Sequence, residues 1–306
     1  MARFIKHIIW FLIPIFLGFL IVEGFYRFVP NNYAFKHAMI TQNKAAIETL
    51  VFGDSHTFYG VNPNYFNSHT FNLANVSQTL YFDTLLFEAY VADMPNLKTV
   101  ILAAEYSNLS QEDNTQEDIW RKYFYARYMH LNVPLIKPYD VKKYSLALTQ
   151  KFGKTVGYMQ AFLKNKTLVG ADSTGWGNTY KKAISAADLE RLATIIAKKH
   201  DDGTADISKN IARLETLIKS CQEKNIAVIL VNMPVSLPYL QKLNQNEVTA
   251  ITEATQQLAN NYSHVTAINF LGDRRFKRVH FHDADHLNQA GAALCSNILN
   301  AVINKP

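Results

Sequence analysis

The most apolar stretch of the chain lies at its start, where Ile8 to Val22 (IIWFLIPIFLGFLIV) carries no charge between Arg3 and Lys6 on one side and Glu23 and Arg27 on the other. Taken as a helix, this run spans roughly 22 Å, short of the ~30 Å hydrocarbon core, so Phe4, Ile5 and the residues up to Val29 are needed to complete a crossing. Trp10, Phe25 and Tyr26 are suited to anchor such a helix at the two interfaces. A cleaved signal peptide is the rival reading, but no small-x-small cleavage site follows. Residues 1–30 are therefore expected to be an uncleaved, single-pass transmembrane anchor. Arg3, Lys6 and the terminal amine favour a cytoplasmic N-terminus. The bulk of the chain is then expected outside the cytoplasm, on the periplasmic face of the plasma (inner) membrane.

After a polar connector over residues 31–46, short apolar runs alternate with longer amphipathic stretches, the order expected of βαβ units. Thr49 to Phe52, Thr70 to Leu73, Thr99 to Ala104, Ile226 to Asn232 and Val265 to Phe270 read as strands. Most are continuous β-rich runs, as strands covered on both faces require. Together they predict an α/β domain over residues 47–306, built on a doubly wound sheet of five parallel strands. A helix capped by Asp206 or Ser208 should run to Glu223, burying Ile207, Ile211, Leu214, Leu217 and Ile218. Further helices are expected over Glu247 to Asn260 and Gln289 to Ile303. Residues 111–200 break the alternation, with Trp120, Tyr123, Phe124, Tyr125, Tyr128 and a Gly175-Trp176-Gly177 triplet. They are read as a helical insertion whose aromatics serve a cleft or partner, or simply pack beneath a long excursion.

Composition narrows the functional classes only a little. With 306 residues and 48% hydrophobic positions the chain can bury a substantial core. The net charge is +6, but the 31 Lys and Arg are scattered and follow no nucleic-acid-binding pattern, so no nucleic-acid partner is expected. Cys221 and Cys295 lack the spacing of a zinc knuckle or a disulfide scaffold, and Cys295 reads as core filler in the last helix.

Chemistry concentrates at the two ends of the α/β domain. The first strand runs into VFGDSHTFYGVNP, placing Gly53, Asp54, Ser55 and His56 at the carboxyl edge of the sheet, where open α/β sheets hold their ligands. Ser55 there is either a nucleophile or the cap of the following helix. Near the C-terminus, FHDADHLNQAGA sets Asp283 three residues before His286. An imidazole there can take a serine proton while a carboxylate on its other ring nitrogen fixes the tautomer. Asp285 is the alternative orienting acid. Asp54 is expected to brace the turn by hydrogen bonding. His56 is either a substrate contact or an ordinary loop histidine. His280, His282, Asp283, Asp285 and His286 also offer metal-ligand chemistry, but no HExxH spacing accompanies them, so neither a metal nor a cofactor is expected.

A G-D-S block near the N-terminus and a D-x-x-H block near the C-terminus, in this order, resemble the SGNH (GDSL-type) hydrolase family. The resemblance covers roughly Glu48 to Asn304 less the insertion. It implies a flavodoxin-like three-layer sandwich, with Ser55 as nucleophile, His286 as general base and Asp283 as its partner. The family's oxyanion donors, a glycine after the second strand and an asparagine after the third, correspond to Ser77 in NLANVSQ and Asn108 in AAEYSNLS. Tyr106 or Ser107 could substitute for the latter. The GDSH form of the first block and the leading anchor look most like the cell-envelope branch, which acylates or deacylates secreted polysaccharides. That branch implies an acylated glycan or other envelope polymer as substrate and a membrane-bound O-acyltransferase as partner. The departures in the middle blocks keep a second reading open, a non-catalytic accessory of such an acyltransferase.

Overall fold

The computed structural model describes residues 1–200 and 206–305. In chain order the elements are α1 (Ala2–Phe28), α2 (Asn32–Asn43), β1 (Thr49–Phe52), α3 (Ser55–Gly60), β2 (Thr70–Asn72), α4 (Leu80–Tyr90), β3 (Thr99–Ala103), α5 (Tyr106–Leu109), α6 (Asp118–Tyr128) and α7 (Phe152–Asn165). They continue with α8 (Ala186–His200), α9 (Ser208–Glu223), β4 (Ala227–Asn232), α10 (Leu237–Leu240), α11 (Gln245–Asn261), β5 (Val265–Asn269) and α12 (Gln289–Ile303). Two compact units result, one of residues 1–37 with 116–169, the other of residues 38–115 with the described residues from 170 to 305.

The second unit holds a five-stranded sheet in the order β2-β1-β3-β4-β5, with every neighbouring pair parallel. The expected strands form within about a residue of their predicted ends. β1 and β3 are buried along their whole length, which is why their sequences read as unbroken apolar runs. Thr49 pairs with both Thr70 and Thr99, so the carboxyl ends of the three strands line up. The order is flavodoxin-like. The chain winds one way from β1 to β2 and the other way thereafter, so right-handed crossovers put α3 and α4 on opposite faces. α12 packs with α3, and α9 with α4, completing three layers. The reversal falls between β1 and β3, and the loops at their carboxyl ends are therefore the place for a site.

The predicted helices form with small shifts. α9 begins at Ser208, whose backbone N–H is accepted by the Asp206 side chain, and it buries Leu214, Leu217, Ile218 and Cys221. α12 spans the predicted residues and buries Cys295 as a free thiol.

The first unit departs from the simplest sequence reading. The stretch taken as a connector, 31–46, carries α2, which begins in the first unit and ends in the second. The stretch taken as one insertion is divided, residues 116–169 packing with the N-terminal helix and residues 170–200 with the sheet unit. Aromatic packing is the reason for the first half. The Tyr33 ring sits 4.9 Å from Tyr125 and 5.6 Å from Phe124, and Tyr128 donates its hydroxyl hydrogen bond to the Tyr26 carbonyl. Buried Arg121 donates to Tyr33 Oη at 2.7 Å and pairs with Glu117. The aromatics of α6 thus serve ordinary packing. α1 is the one helix among the described residues long and apolar enough to cross a membrane, and its apolar window is unburied.

Candidate active site

β1 ends in a turn that only glycine can make. Gly53 has φ of +124°, and a Cβ there would sit 2.5 Å from the Ala103 Cβ on the neighbouring strand. Its N–H donates to buried Asp83 at 3.1 Å, which fixes the turn from the α4 side. Asp54 then caps α3, its Oδ1 accepting from His56 N at 2.8 Å, so the bracing role read from the sequence is what its side chain does. Ser55 takes the first helical position, half-buried, with its hydroxyl at the edge of the sheet.

The C-terminal block reaches the same point. A bridge between Phe281 and Leu287, with His282 N donating to the His286 carbonyl at 2.9 Å, closes a tight loop around Asp283 to His286. Asp283 Oδ1 accepts from the backbone N–H of His286 at 2.8 Å, and both its oxygens lie 3.0 Å from His286 Nδ1. His286 Nε2 lies 2.8 Å from Ser55 Oγ. Ser55, His286 and Asp283 therefore form one hydrogen-bonded line from residues 231 positions apart.

Both acids at the loop act on this imidazole. Asp285 Oδ1 is 3.2 Å from His286 Nδ1 but out of line for a hydrogen bond, so Asp283 makes the directional bond and Asp285 adds charge. Burial opposes charging of His286, yet the Asp285 carboxylate, with Asp283 bonded beside it, pushes its pKa up to about 10. The resting ring is then an imidazolium that donates to Asp283 and to Ser55 Oγ.

Sequence reasoning treated His56 as a substrate contact or a loop residue, and the structure gives it a third position. It is buried, with Nδ1 2.9 Å from Glu105 Oε2 and Nε2 3.0 Å from Asp285 Oδ2. Burial disfavours its charge, but Glu105, Asp54 and Asp285 outweigh that and hold it well above the ordinary imidazole range. Glu105, which the sequence reading passed over, caps α5 and is pushed up to about 7 by burial. A carboxylate directly after an apolar strand at the carboxyl edge was the signal available for it. Ser107 donates to Asp54 Oδ2 at 2.5 Å and closes this layer. His200, at the end of α8, bonds Tyr239 at 2.8 Å and is lowered to about 4 by burial, so it is neutral.

The remaining candidates separate. Asn108 is buried and its amide is engaged locally, Oδ1 accepting from Glu105 N at 3.1 Å and Nδ2 donating to the Ala103 carbonyl at 2.8 Å. Ser77 has φ of +52°, the left-handed conformation that glycine adopts most readily, on a loop whose Asn75 N donates to the Gly53 carbonyl at 3.2 Å. Among the histidines of the C-terminal block only His286 enters the cluster. His280 accepts from Lys277 N within a 3-10 turn, and His282 stacks 3.8 Å from Tyr180. Two triples, His56 with Asp285 and His286, and Asp54 with His56 and Glu105, bring ligand atoms close enough for a cation. Their ring nitrogens already face carboxylates, so a cation would have to displace those protons.

The second half of the insertion supplies one wall. Gly177 N donates to the Phe58 carbonyl and Trp176 Nε1 to the Tyr59 carbonyl, pinning this segment on α3. Gly175, at φ of +83°, lies so close to Asn72 that a Cβ would meet its carbonyl oxygen at 2.1 Å. Tyr180 follows, stacked between Tyr59 at 3.7 Å and His282 at 3.8 Å, with the edge of His286 5.6 Å away.

No protein-family model matches the chain, and no curated protein does. Among solved structures it is similar to a GDSL-like lipase from Bacteroides thetaiotaomicron, with a TM-score of 0.40 and 11% identity over 89% of this chain and 98% of that one.

Proposed function

We propose that this chain is a membrane-anchored serine enzyme of the SGNH (GDSL-type) kind that forms an acyl-Ser55 intermediate and moves O-linked acyl groups on a cell-envelope polysaccharide. The observation that carries the proposal is the 2.8 Å approach of His286 Nε2 to Ser55 Oγ, with Asp283 on Nδ1. Neutral His286 takes the Ser55 proton as Oγ attacks the acyl carbonyl. The ester C–O bond then breaks, and the departing alkoxide leaves as an alcohol with the proton from His286. A glycan hydroxyl or water, deprotonated by the same ring, releases the acyl group in the second half. Backbone donors at Ser55 and Ser77 carry the oxyanion, since the Asn108 amide is engaged in capping. Asp54 and His56 support the turn and the charge of the site from beneath.

The glycan part of the proposal draws on the half-buried stack of Tyr59, Tyr180 and His282 beside His286, an aromatic and polar edge against which a sugar can pack. α1 supplies the anchor, with Arg3 and Lys6 on the cytoplasmic side and the sheet unit in the periplasm. The engaged Asn108 favours the second reading, an accessory of a membrane-bound O-acyltransferase that retains the fold without turnover. The deciding test is intact-mass labelling of the full chain with a fluorophosphonate, beside Ser55→Ala and His286→Ala. A single adduct lost in both variants supports an activated nucleophile. A folded protein that takes no adduct at any pH up to 10 leaves the accessory reading.

A further inference from the structure

The unit formed by residues 1–37 and 116–169 grips the C-terminal end of α1 from two sides. On one side Glu23 accepts from Ser145 Oγ at 2.8 Å and from Ala147 N at 2.9 Å, while Arg27 donates to the Tyr144 carbonyl at 3.1 Å. On the other, Thr155 Oγ1 lies 2.9 Å from Tyr26 Oη and the Phe162 ring 5.9 Å from Phe25. Thr155 and Phe162 stand roughly 10 Å apart along α7, whereas Phe25 and Tyr26 differ by only about 1.5 Å along α1. α7 therefore meets the membrane helix at the level of Phe25 and Tyr26. The contact falls just past Val22, where the uncharged run ends and Glu23 begins.

α7 has two apolar faces. Thr155, Tyr158 and Phe162 lie on the side turned to α1, and Phe152, Val156, Met159 and Leu163 form a second stripe at helical spacing. In that stripe Phe152 is 79% and Leu163 67% exposed. The segment before α7 exposes Tyr139, Val141, Tyr144 and Leu148, interleaved with Lys137, Lys143 and Lys151. Large apolar side chains with tyrosines and lysines are the composition of a surface that sits at a lipid interface. The bonds to Glu23 and Arg27 hold residues 144–147, and the contacts to Phe25 and Tyr26 hold α7, within about one helical turn of the end of the apolar run.

We propose that α7, with the 139–148 loop, is an interfacial collar that lies in the headgroup layer with Phe152, Val156, Met159 and Leu163 against the acyl chains, and that the lysines meet anionic lipid phosphates. The inference rests on the reading of α1 as a membrane anchor. The collar would hold the end of α1 rigidly at the membrane surface instead of leaving it on a free tether.

Spin labels read the depth directly. The full chain is reconstituted in nanodiscs of phosphatidylethanolamine and phosphatidylglycerol, with single labels at Phe152→Cys, Leu163→Cys and Tyr144→Cys, at Gly157→Cys on the opposite, exposed face of α7, and at Leu12→Cys as the hydrocarbon reference; native Cys221 and Cys295 are buried. Depth is measured from collision with oxygen against a water-soluble nickel chelate. The proposal expects oxygen-dominated collision at 152 and 163, an intermediate value at 144 and nickel-dominated collision at 157. Nickel-dominated collision at 152 and 163 with a hydrocarbon signal at 12 overturns the collar while sparing the anchor. A nickel-dominated signal at 12 overturns both.

Discussion

His56 and His286 share a single carboxylate. Asp285 lies 3.0 Å from His56 Nε2 through one oxygen and 3.2 Å from His286 Nδ1 through the other, and the two rings stand 4.9 Å apart. One buried carboxylate is thus shared between two imidazoliums, and Asp283 and Glu105 face them from either end. The consequence for the proposed chemistry is that the base rests in its protonated form, and only its neutral fraction can accept the Ser55 proton.

A pH dependence follows, with a definite sign. With His286 near 10, only about one ring in a thousand is neutral at pH 7, so the rate of fluorophosphonate labelling should climb as pH rises from 7 toward 10. Asp285→Asn removes the largest charge holding the imidazolium, and should move the rise to lower pH by about one to three units. A series of labelling rates against pH for both proteins checks it. An unchanged profile in the variant would mean that Asp285 does not set the His286 equilibrium.

Ser55→Ala should abolish labelling and leave the fold intact. The hydroxyl is half-buried at the first turn of α3, where Asp54 and not Ser55 provides the cap, so the expected stability change is within about 0.5 kcal/mol. Intact mass and urea denaturation measure the two effects separately.

Gly53→Ala should cost at least about 2 kcal/mol of stability and disable the site with it. The backbone at φ of +124° strains any L side chain, and the added Cβ would meet Ala103 at 2.5 Å and Thr57 Oγ1 at 2.6 Å. A urea midpoint equal to that of the parent would show that the turn relaxes freely.

Asn108→Ala separates a capping role from an oxyanion role. As a cap the amide is worth about 0.5–2 kcal/mol of stability, and its loss should lower the urea midpoint while labelling at Ser55 falls less than tenfold. An oxyanion donor would instead cost about 100-fold or more in rate with stability little changed.

The sheet was legible because its signal is local. Thr49 to Phe52 and Thr99 to Ala103 are apolar throughout since both faces of those strands are covered, and that pattern survives in the sequence without knowledge of what covers them. The candidate set Ser55, His286 and Asp283 came from the resemblance carried by the G-D-S and D-x-x-H blocks; the turn residues alone left Ser55 open as a cap and Asp285 open as the orienting acid. The surrounding buried layer was not legible. Glu105 looks like any acid after a strand, and nothing local to it says that it will lie 2.9 Å from a histidine 49 positions earlier.

The sequence by itself determined the anchor-length apolar helix, the five strands and their parallel winding, because each depends on periodicity, burial pattern and turn chemistry within a few residues. Only the tertiary structure decided that residues 116–169 fold against the N-terminal helix, that His56 joins a charged layer and that Asn108 turns back on its own backbone. Those outcomes depend on contacts between distant segments, where burial makes a charge choose its partner. No pattern along the chain records that choice.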